Sequence, residues 1–382
     1  MSLLFLTDFY PPGYRSGGPA RSCYNLSIGL GNTVPVQVLT RDRDLNSPLP
    51  YPDIALNTWQ PFAPGVQVNY SSPSRQGLTS IIRSIRQVAA TTLYLNSMFS
   101  VPFTIYPLLA HWLGLIKGRV VLAPRGMLKA SALQFKPFKK KLFLGLIRAL
   151  GWHRFIVFQA TSPEEARDVH TAFGPTARVV TCPPVPELGL LRQRVRQTKS
   201  IGMVRFCLVG RVHPIKNIHR ALELLAGVAE SPVYLEVIGP LEDAAYYAHC
   251  QSIAAGLPAT VQVRFLGALP TEEVQARLQQ ADFFYLLTQG ENFGHAIFEA
   301  LALGKPVIIS DQTPWRDLCV QQAGWDLALS EPEQIQKALQ QAMAMPDAEY
   351  QQWSDGAYAR AEQFVEASDW KRAYLELFEL VT

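Results

Sequence analysis

Short β-branched or aromatic runs alternate with longer helical patterns along almost the whole chain, and this alternation constrains the fold more than any other feature. SLLFLTDF, VPVQVLTR, VQVNY, TLYLNS, RVVLAPRG, FIVFQATS and ARVVTCPP occupy the first half. Their nearly continuous apolar character marks strands covered on both faces, hence parallel sheets wrapped by helices. Residues 183–201, PPVPELGLLRQRVRQTKSI, are Pro-rich and then basic, lack a strand period, and read as an interdomain linker. The alternation then resumes with VRFCLVGR, VYLEVIGP, QVRFLGAL, FFYLLTQG, PVIIS and WDLAL. The expected class is α/β, with two doubly wound, Rossmann-like domains over residues 1–190 and 191–365. A chain of 382 residues lets each bury its own core.

Five dispersed cysteines without a CxxC pair argue for a reducing compartment and against a zinc knuckle. The start MSLLFLTDFYPPG has no basic segment and meets Asp8 after a few apolar residues, so it reads as a first strand rather than a signal peptide. Cytoplasmic residence is the expectation. A formal charge of +4 is too mild for bulk nucleic-acid binding.

The charge is nevertheless concentrated. Lys136, Lys139, Lys140, Lys141, Arg148 and Arg154 share FKPFKKKLFLGLIRALGWHR with Phe135, Phe138, Leu142 and Leu146 at helical spacing, and Pro137 suits a first turn. Such a basic amphipathic helix fits either an anionic membrane surface or a solvated face over a core stripe. The apolar stretch 99–116 contains Pro102, Pro107, His111 and Gly114 and lies between strand-like runs, so it reads as a buried helix rather than a membrane span.

Ligands of doubly wound sheets bind outside the carboxyl ends of the strands. Gly210 and Arg211, Gly239, Ala268 and Leu269, and QGENFG at 289–294 all follow strands directly. Arg211 and Lys216, beside a helix start, would face one crevice and suit a diphosphate held without a metal. A cation about 4 Å from a phosphate oxygen is worth up to about 4 kcal/mol at an effective dielectric near 20. By themselves the two fit a pair of solvated loop charges equally well. No GxxxxGK[ST] and no GxGxxG follows any strand, which excludes the usual phosphate cradles of P-loop and dinucleotide enzymes.

The string GENFGHAIFEALALGKPVIISD, residues 290–311, supplies the rest. Gly290 and Gly294 flank a turn, and a helix of about nine residues runs from near His295 to a stop at Gly304. Backbone N–H groups at His295, Ala296 and Ile297 are expected to point into the crevice. Glu291 in the loop and Glu299 on the helix do not share a helical face, so they reach different parts of a ligand. Carboxylates accept hydrogen bonds from vicinal hydroxyls, and phosphate plus two sugars describes a nucleotide sugar. Glu299 in isolation also fits a simple interaction with the helix dipole.

Taken with GRVHPIKN upstream, this string resembles the signature of retaining, sugar-nucleotide-dependent glycosyltransferases of family four, which have the GT-B fold of two Rossmann-like domains facing across a cleft. PPGYRSGGPARSCYNLSIGL is similar to the family's Pro-rich, Gly-Gly loop before the first helix. ARAEQFVEASDWKRAYLELFELV resembles its terminal helices, the last of which, about 366–382, crosses back to the first domain. The resemblance implies that Glu299 binds the ribose hydroxyls and that Glu291, with the backbone around Asn292, Phe293 and Gly294, holds the donor sugar. It also implies that Arg211 and Lys216 bind the diphosphate with Gly17 and Gly18 closing over it, and that the base rests near Gly239, Ala268 and Leu269.

The sequence departs from the family pattern in three places. The family often carries a histidine near the anomeric centre, where the loops here read LNSMFS and APRGML; Arg125 is the acceptor-side substitute, or a structural arginine. The usual Gly after the lysine is Asn217, and PNG at the end of the first domain is CPPVP. The DxD within RDRD at 41–44 follows a strand of the first domain, away from the expected donor, so no metal is expected. The implied activity is metal-independent, retaining transfer of a hexosyl group from a nucleotide-diphosphate sugar to a glycan or lipid-linked glycan in polysaccharide or glycoconjugate synthesis, with the donor as co-substrate and no cofactor. A sugar-nucleotide epimerase of the same architecture and a catalytically silent sugar-nucleotide binder are the rivals.

Overall fold

The computed structural model of the chain describes residues 2–133, 137–228 and 231–380. Residues up to Val185, together with those from Asp369 onward, form one compact unit, and Pro186–Ser368 forms the other. The helix Asp347–Ala367 ends in the second unit and the following helix Trp370–Leu377 belongs to the first.

The first unit holds β1 (Leu3–Leu6), β2 (Val36–Arg41), β3 (Trp59–Ala63), β4 (Val66–Ser71), β5 (Thr92–Leu95), β6 (Arg119–Leu122), β7 (Ile156–Ala160) and β8 (Arg178–Thr181). Their order is β3-β4-β2-β1-β5-β6-β7-β8. Every pairing is parallel except β3 with β4. β3 escapes the sequence reading because its WQPFA run contains Pro61, which removes a ladder donor and is tolerated only at a sheet edge, where β3 lies.

The second unit holds β9 (Val204–Val209), β10 (Val233–Ile238), β11 (Val261–Gly267), β12 (Phe283–Leu286), β13 (Val307–Ser310) and β14 (Gly324–Leu327), in the order β11-β10-β9-β12-β13-β14 and parallel throughout. The chain builds outward from β9 on one side and resumes at β12 on the other. This reversal opens a crevice at the carboxyl ends of β9 and β12. The same reversal occurs between β1 and β5 in the first unit. The central strands β1, β5, β12 and β13 are buried along their whole length, as helices on both faces of a parallel sheet require.

Residues 186–201 are not a free linker. Leu190 is fully buried in the core of the second unit. The Lys199 ammonium is buried and donates to the carbonyls of Met343 and Met345 at 3.1 Å each, at the end of the helix Pro332–Ala344. Arg194 pairs with Asp355. The basic run looks like a linker only because its charges cap and pair with elements distant in sequence.

The stretch 99–116 is also less buried than expected. It forms a π-turn, Val101–Ile105, and a short helix, Tyr106–Trp112, with Phe103, Leu108 and Ala110 in the core but Trp112 and Leu113 exposed. Among the described residues no helix is long and apolar enough to cross a membrane. The basic helix runs Pro137–Ala149. Its core contacts come from Phe143 and Ile147, whereas Phe138 and Leu142 are 79% and 66% exposed and Leu146 is exposed beside them. Phe135 and Lys136 lie outside the described residues.

Candidate functional site

The strand ends of the second unit are built by glycine. Gly210 donates its N–H to the Ile238 carbonyl at 2.9 Å, and Gly239 donates to Gly267 at 2.8 Å, so the loops after β9, β10 and β11 leave the sheet side by side. Gly239 has φ 151°, and a Cβ there would run into the Gly210 carbonyl oxygen. Only glycine allows that approach. Gly210 in turn lies under the Lys216 side chain, whose Cε would be 3.2 Å from an added Cβ.

Lys216 closes the 3₁₀ turn Pro214–Lys216, which is capped by the His213 ring accepting the Ile215 N–H at 3.3 Å. Asn217 follows with φ 55° and starts the helix Ile218–Ala226. This left-handed conformation explains the residue types tolerated there, since Asn is the non-glycine residue that adopts it most readily. Burial pushes the His213 imidazole below its usual range; Glu242 opposes the shift and Arg211 adds to it.

The loop after β12 is stitched to this turn. The Gln289 N–H donates to the Ile215 carbonyl at 2.8 Å, the Thr288 hydroxyl donates to the same oxygen at 3.1 Å, and the Glu291 N–H donates to Gln312 at 2.9 Å. These bonds bring the Glu291 carboxylate onto the Lys216 ammonium as an ion pair with both side chains largely buried. Arg211 Nη1 is paired at 2.6 Å with Glu242 Oε2, in the loop after β10, on a more exposed rim. Arg211 and Lys216 thus each carry a carboxylate partner.

Gly294, at φ 81°, turns the chain into the helix His295–Ala302, and Gly304, at φ 71°, follows its end as expected. Glu299 is on this helix and buried. The Ile297 N–H donates to the Gly294 carbonyl at 2.9 Å within the first turn, so it does not point at a ligand as expected. The Phe293 ring packs with Trp315, Phe298 and Phe364, and its carbonyl accepts the Trp315 indole N–H at 2.8 Å. This aromatic cluster fixes the loop beside Asn292 and beneath His295, whose ring meets Phe293 edge-on. Ala268 and Leu269 follow β11 directly, with Leu269 and Ala296 packed partly against the core.

In the first unit, Gly17 has φ 70° and Gly18 opens the helix Gly18–Gly31. Arg125, the expected acceptor-side candidate, is anchored on the protein. Its Nε donates to Asn96 Oδ1 at 2.8 Å and its Nη2 to the Tyr94 hydroxyl at 2.7 Å, which ties the loop after β6 to the end of β5. The RDRD carboxylates also have protein partners: Asp42 accepts from Arg43 at 2.8 Å and Asp44 accepts backbone N–H groups. A cavity of about 300 Å³ lined by Met203, Arg205, Cys207 and Tyr234 opens toward the amino-terminal ends of β9 and β10, away from the motif loops.

Glu242 and Thr288 were not anticipated from sequence. Glu242 could have been found from its place in GPLED, immediately past a strand end of the same sheet. Thr288 offers no comparable signal, because its role rests on a hydroxyl reaching a carbonyl 73 residues away.

Residues 193–360 match the family described as Glycosyl transferases group 1. Over its whole length the chain is similar in structure to GT-B glycosyltransferases. A sucrose-phosphate synthase from Thermosynechococcus elongatus superposes with a TM-score of 0.69 at 16% identity, covering 99% of this chain and 98% of that one. Anabaena HepE in complex with UDP and glucose gives 0.69 at 14% identity, covering 100% and 99%. WaaG, a glycosyltransferase involved in lipopolysaccharide biosynthesis, gives 0.65 at 14% identity, covering 100% of both chains. No curated protein matches the chain. The fold is GT-B, and the matched segment holds Arg211, Lys216, Glu291 and Glu299.

Proposed function

We propose that the chain is a group 1 glycosyltransferase, that its second unit binds a nucleotide-diphosphate sugar at the carboxyl ends of β9 and β12, and that it transfers the sugar with retention, without a metal, to a glycan or lipid-linked glycan. The observation that carries this reading is the Lys216–Glu291 pair, which joins a phosphate-type cation to a hydroxyl-type carboxylate at the switch point of the sheet. Neighbours of the same fold have been solved with UDP and glucose and with UDP-2-fluoro glucose, which supports a uridine diphosphate sugar as the first donor to try.

In this mechanism the diphosphate takes up Arg211 and Lys216, while Glu291 turns to hydroxyls of the donor sugar and Glu299 to those of the ribose. The C1–O bond to the phosphate then breaks with its electron pair on the leaving oxygen, where the two cations stabilise the charge. The acceptor hydroxyl attacks the same face of C1, and its proton passes to an oxygen of the departing phosphate. Holding both reactants together supplies orientation that water cannot.

The outer face of Pro137–Ala149 supports peripheral attachment to an anionic membrane, the setting of a lipid-linked acceptor. Phe138, Leu142 and Leu146 form an exposed apolar stripe at successive helical turns, with Lys139, Lys141 and Arg148 exposed on either side. Lys140 instead turns inward, donating to the Ala132 carbonyl at 2.7 Å.

The stereochemical course tests the reaction. Proton NMR of the product from an α-linked donor should show an α-linked product and free nucleoside diphosphate without added metal. A β-linked product contradicts retention, and a new sugar nucleotide formed without any acceptor identifies an epimerase.

A further inference from the structure

The sheet of the second unit is not covered evenly, and its open part is charged. β10 and β11 alternate between less and more accessible residues over their first four positions, the pattern of strands with one open face. Tyr234 pairs in register with Arg205 of β9 and Gln262 of β11, and Glu236 pairs with Cys207 and Arg264. Paired residues on neighbouring strands share a face, so these side chains form two polar rows on one side of the sheet. The helix Thr271–Gln280 packs against β9 and adds Arg277, whose Nη1 donates to Glu236 Oε1 at 3.0 Å.

The cavity of about 300 Å³ lies where the end of this helix meets β9 and β10. A second hollow of about 160 Å³ shares Tyr234 and Glu236 with it and continues to Gln262 and Arg264 on β11. Cys207 and Ala281 are buried in the wall of the larger hollow, and Met203 and the Tyr234 ring are partly buried there, which offers apolar contact to a flat body. The cations are Arg205, Arg264 and Arg277. Arg205 Nη2 donates to Asp282 Oδ1 at 3.0 Å, but Asp282 also offsets the charges of Lys199 and Lys305. Arg277 has Glu236, while Arg264 is exposed and makes no ion pair among the described residues. Positive charge is therefore in excess around the hollow.

A mostly apolar recess with a few placed polar groups is the usual form of a small-molecule site, and this one is at the lower end of the usual size. Guanidinium groups match the oxygens of carboxylates and phosphates in pairs. Arg205 precedes Arg211 by six residues along β9, which separates the hollow from the strand-end loops by roughly 20 Å.

We infer that this recess is a second ligand site of the same unit, taking a small organic anion with an aromatic body and a carboxylate or phosphate head, the head held by Arg264 and Arg277. The site stands whether or not the chain transfers a sugar.

Calorimetric titration of the full-length protein with phenyl phosphate and with phenylacetate tests it, with benzyl alcohol as the neutral body and inorganic phosphate as the bare anion. At least one aryl anion should bind with a Kd below about 1 mM, and both controls at least about tenfold more weakly. The tighter of the two aryl anions identifies the head group. Arg264→Glu, an exposed change that leaves the core intact, and Arg277→Gln should each weaken that anion by about tenfold, the loss of one charge-assisted hydrogen bond. Lys216→Ala should change it by less than about twofold, and hydrogen exchange should slow in peptides covering residues 261–267 and 271–281 rather than 210–217. The inference is overturned if neither aryl anion binds below about 10 mM, or if either control binds as tightly as they do. It is equally overturned if folded Arg264→Glu and Arg277→Gln both bind as wild type does, or if Lys216→Ala is the variant that loses binding.

Discussion

The Lys216 ammonium meets the Glu291 carboxylate across 75 residues of sequence, with only 14% and 15% of the two side chains exposed. Neither group would be held there by local structure. Gln289 and Thr288 pin one loop to the Ile215 carbonyl of the other, and the pair forms because both loops leave adjacent strands β9 and β12 at the same edge. A partly buried pair of this kind couples its members: removing one leaves the other charged and under-solvated. The pair thus holds both charges in place at the strand ends.

That coupling is measurable. Lys216→Ala and Glu291→Gln should each lower kcat/KM for the nucleotide sugar by more than about tenfold, with a folded far-UV spectrum. The double variant should be less impaired than the product of the two, with an interaction term of about 1–3 kcal/mol. Strictly additive losses would mean that the pair is incidental to catalysis.

A backbone test bears on the same strand ends. Gly239→Ala places a methyl group against the Gly210 carbonyl at a φ that alanine avoids. It should lower stability by at least about 1–3 kcal/mol and weaken nucleotide binding together with it, as the loops after β9 and β10 separate. Urea denaturation gives the first quantity and calorimetric titration the second. A variant as stable as wild type would show that the approach is not required.

The membrane surface can be tested by sedimentation with vesicles. Wild type should pellet with vesicles rich in anionic lipid at low salt and be released in part at high salt, because exposed lysine attraction is screened while apolar insertion is not. Phe138→Ser together with Leu142→Ser should abolish pelleting without loss of fold, since neither side chain contributes to the core. Absence of wild-type pelleting even at low salt contradicts membrane attachment through this helix.

Much of this architecture was legible because strands of a parallel sheet are apolar on both faces, so every run from SLLFLTDF to WDLAL announced itself. β3 was not, since Pro61 breaks its strand pattern and only its edge position permits it. The glutamates, Arg211 and Lys216 could be placed because each lies in the loop that follows a strand or on the helix after that loop. What sequence could not supply was pairing: that Lys216 meets Glu291, that Arg211 meets Glu242, and that Arg125 turns inward to Tyr94 and Asn96. Which face of Pro137–Ala149 meets the core was illegible for a similar reason. Phe138, Leu142 and Leu146 have the same helical period as Phe143 and Ile147, and periodicity alone does not say which of two apolar stripes meets the core.

A pH effect follows from the second unit's buried Lys305, whose ammonium donates to Gln197 at 2.8 Å with Asp282, Arg205 and Arg194 nearby. Burial lowers its pKa from 10.5 to about 8. The native state therefore binds fewer protons than the unfolded chain between these values, so stability rises with pH across that window and the gain is lost as pH falls back through about 8. The slope is at most about 1.4 kcal/mol per pH unit. Urea midpoints of wild type should rise from about pH 8 toward 10 relative to those of Lys305→Met, and parallel curves would contradict the assignment.

The central claim is that Arg211, Lys216, Glu291 and Glu299 form a nucleotide-sugar site. A thermal-shift series with the common nucleoside diphosphates and their sugars, run on wild type, Lys216→Ala and Glu299→Ala, tests it most directly. One base should stabilise wild type by about 2.7 kcal/mol at one hundred times its dissociation constant, and both variants should lose most of that gain. No stabilisation of wild type by any nucleoside diphosphate or nucleotide sugar at millimolar concentration, or equal stabilisation of all three proteins, would contradict it.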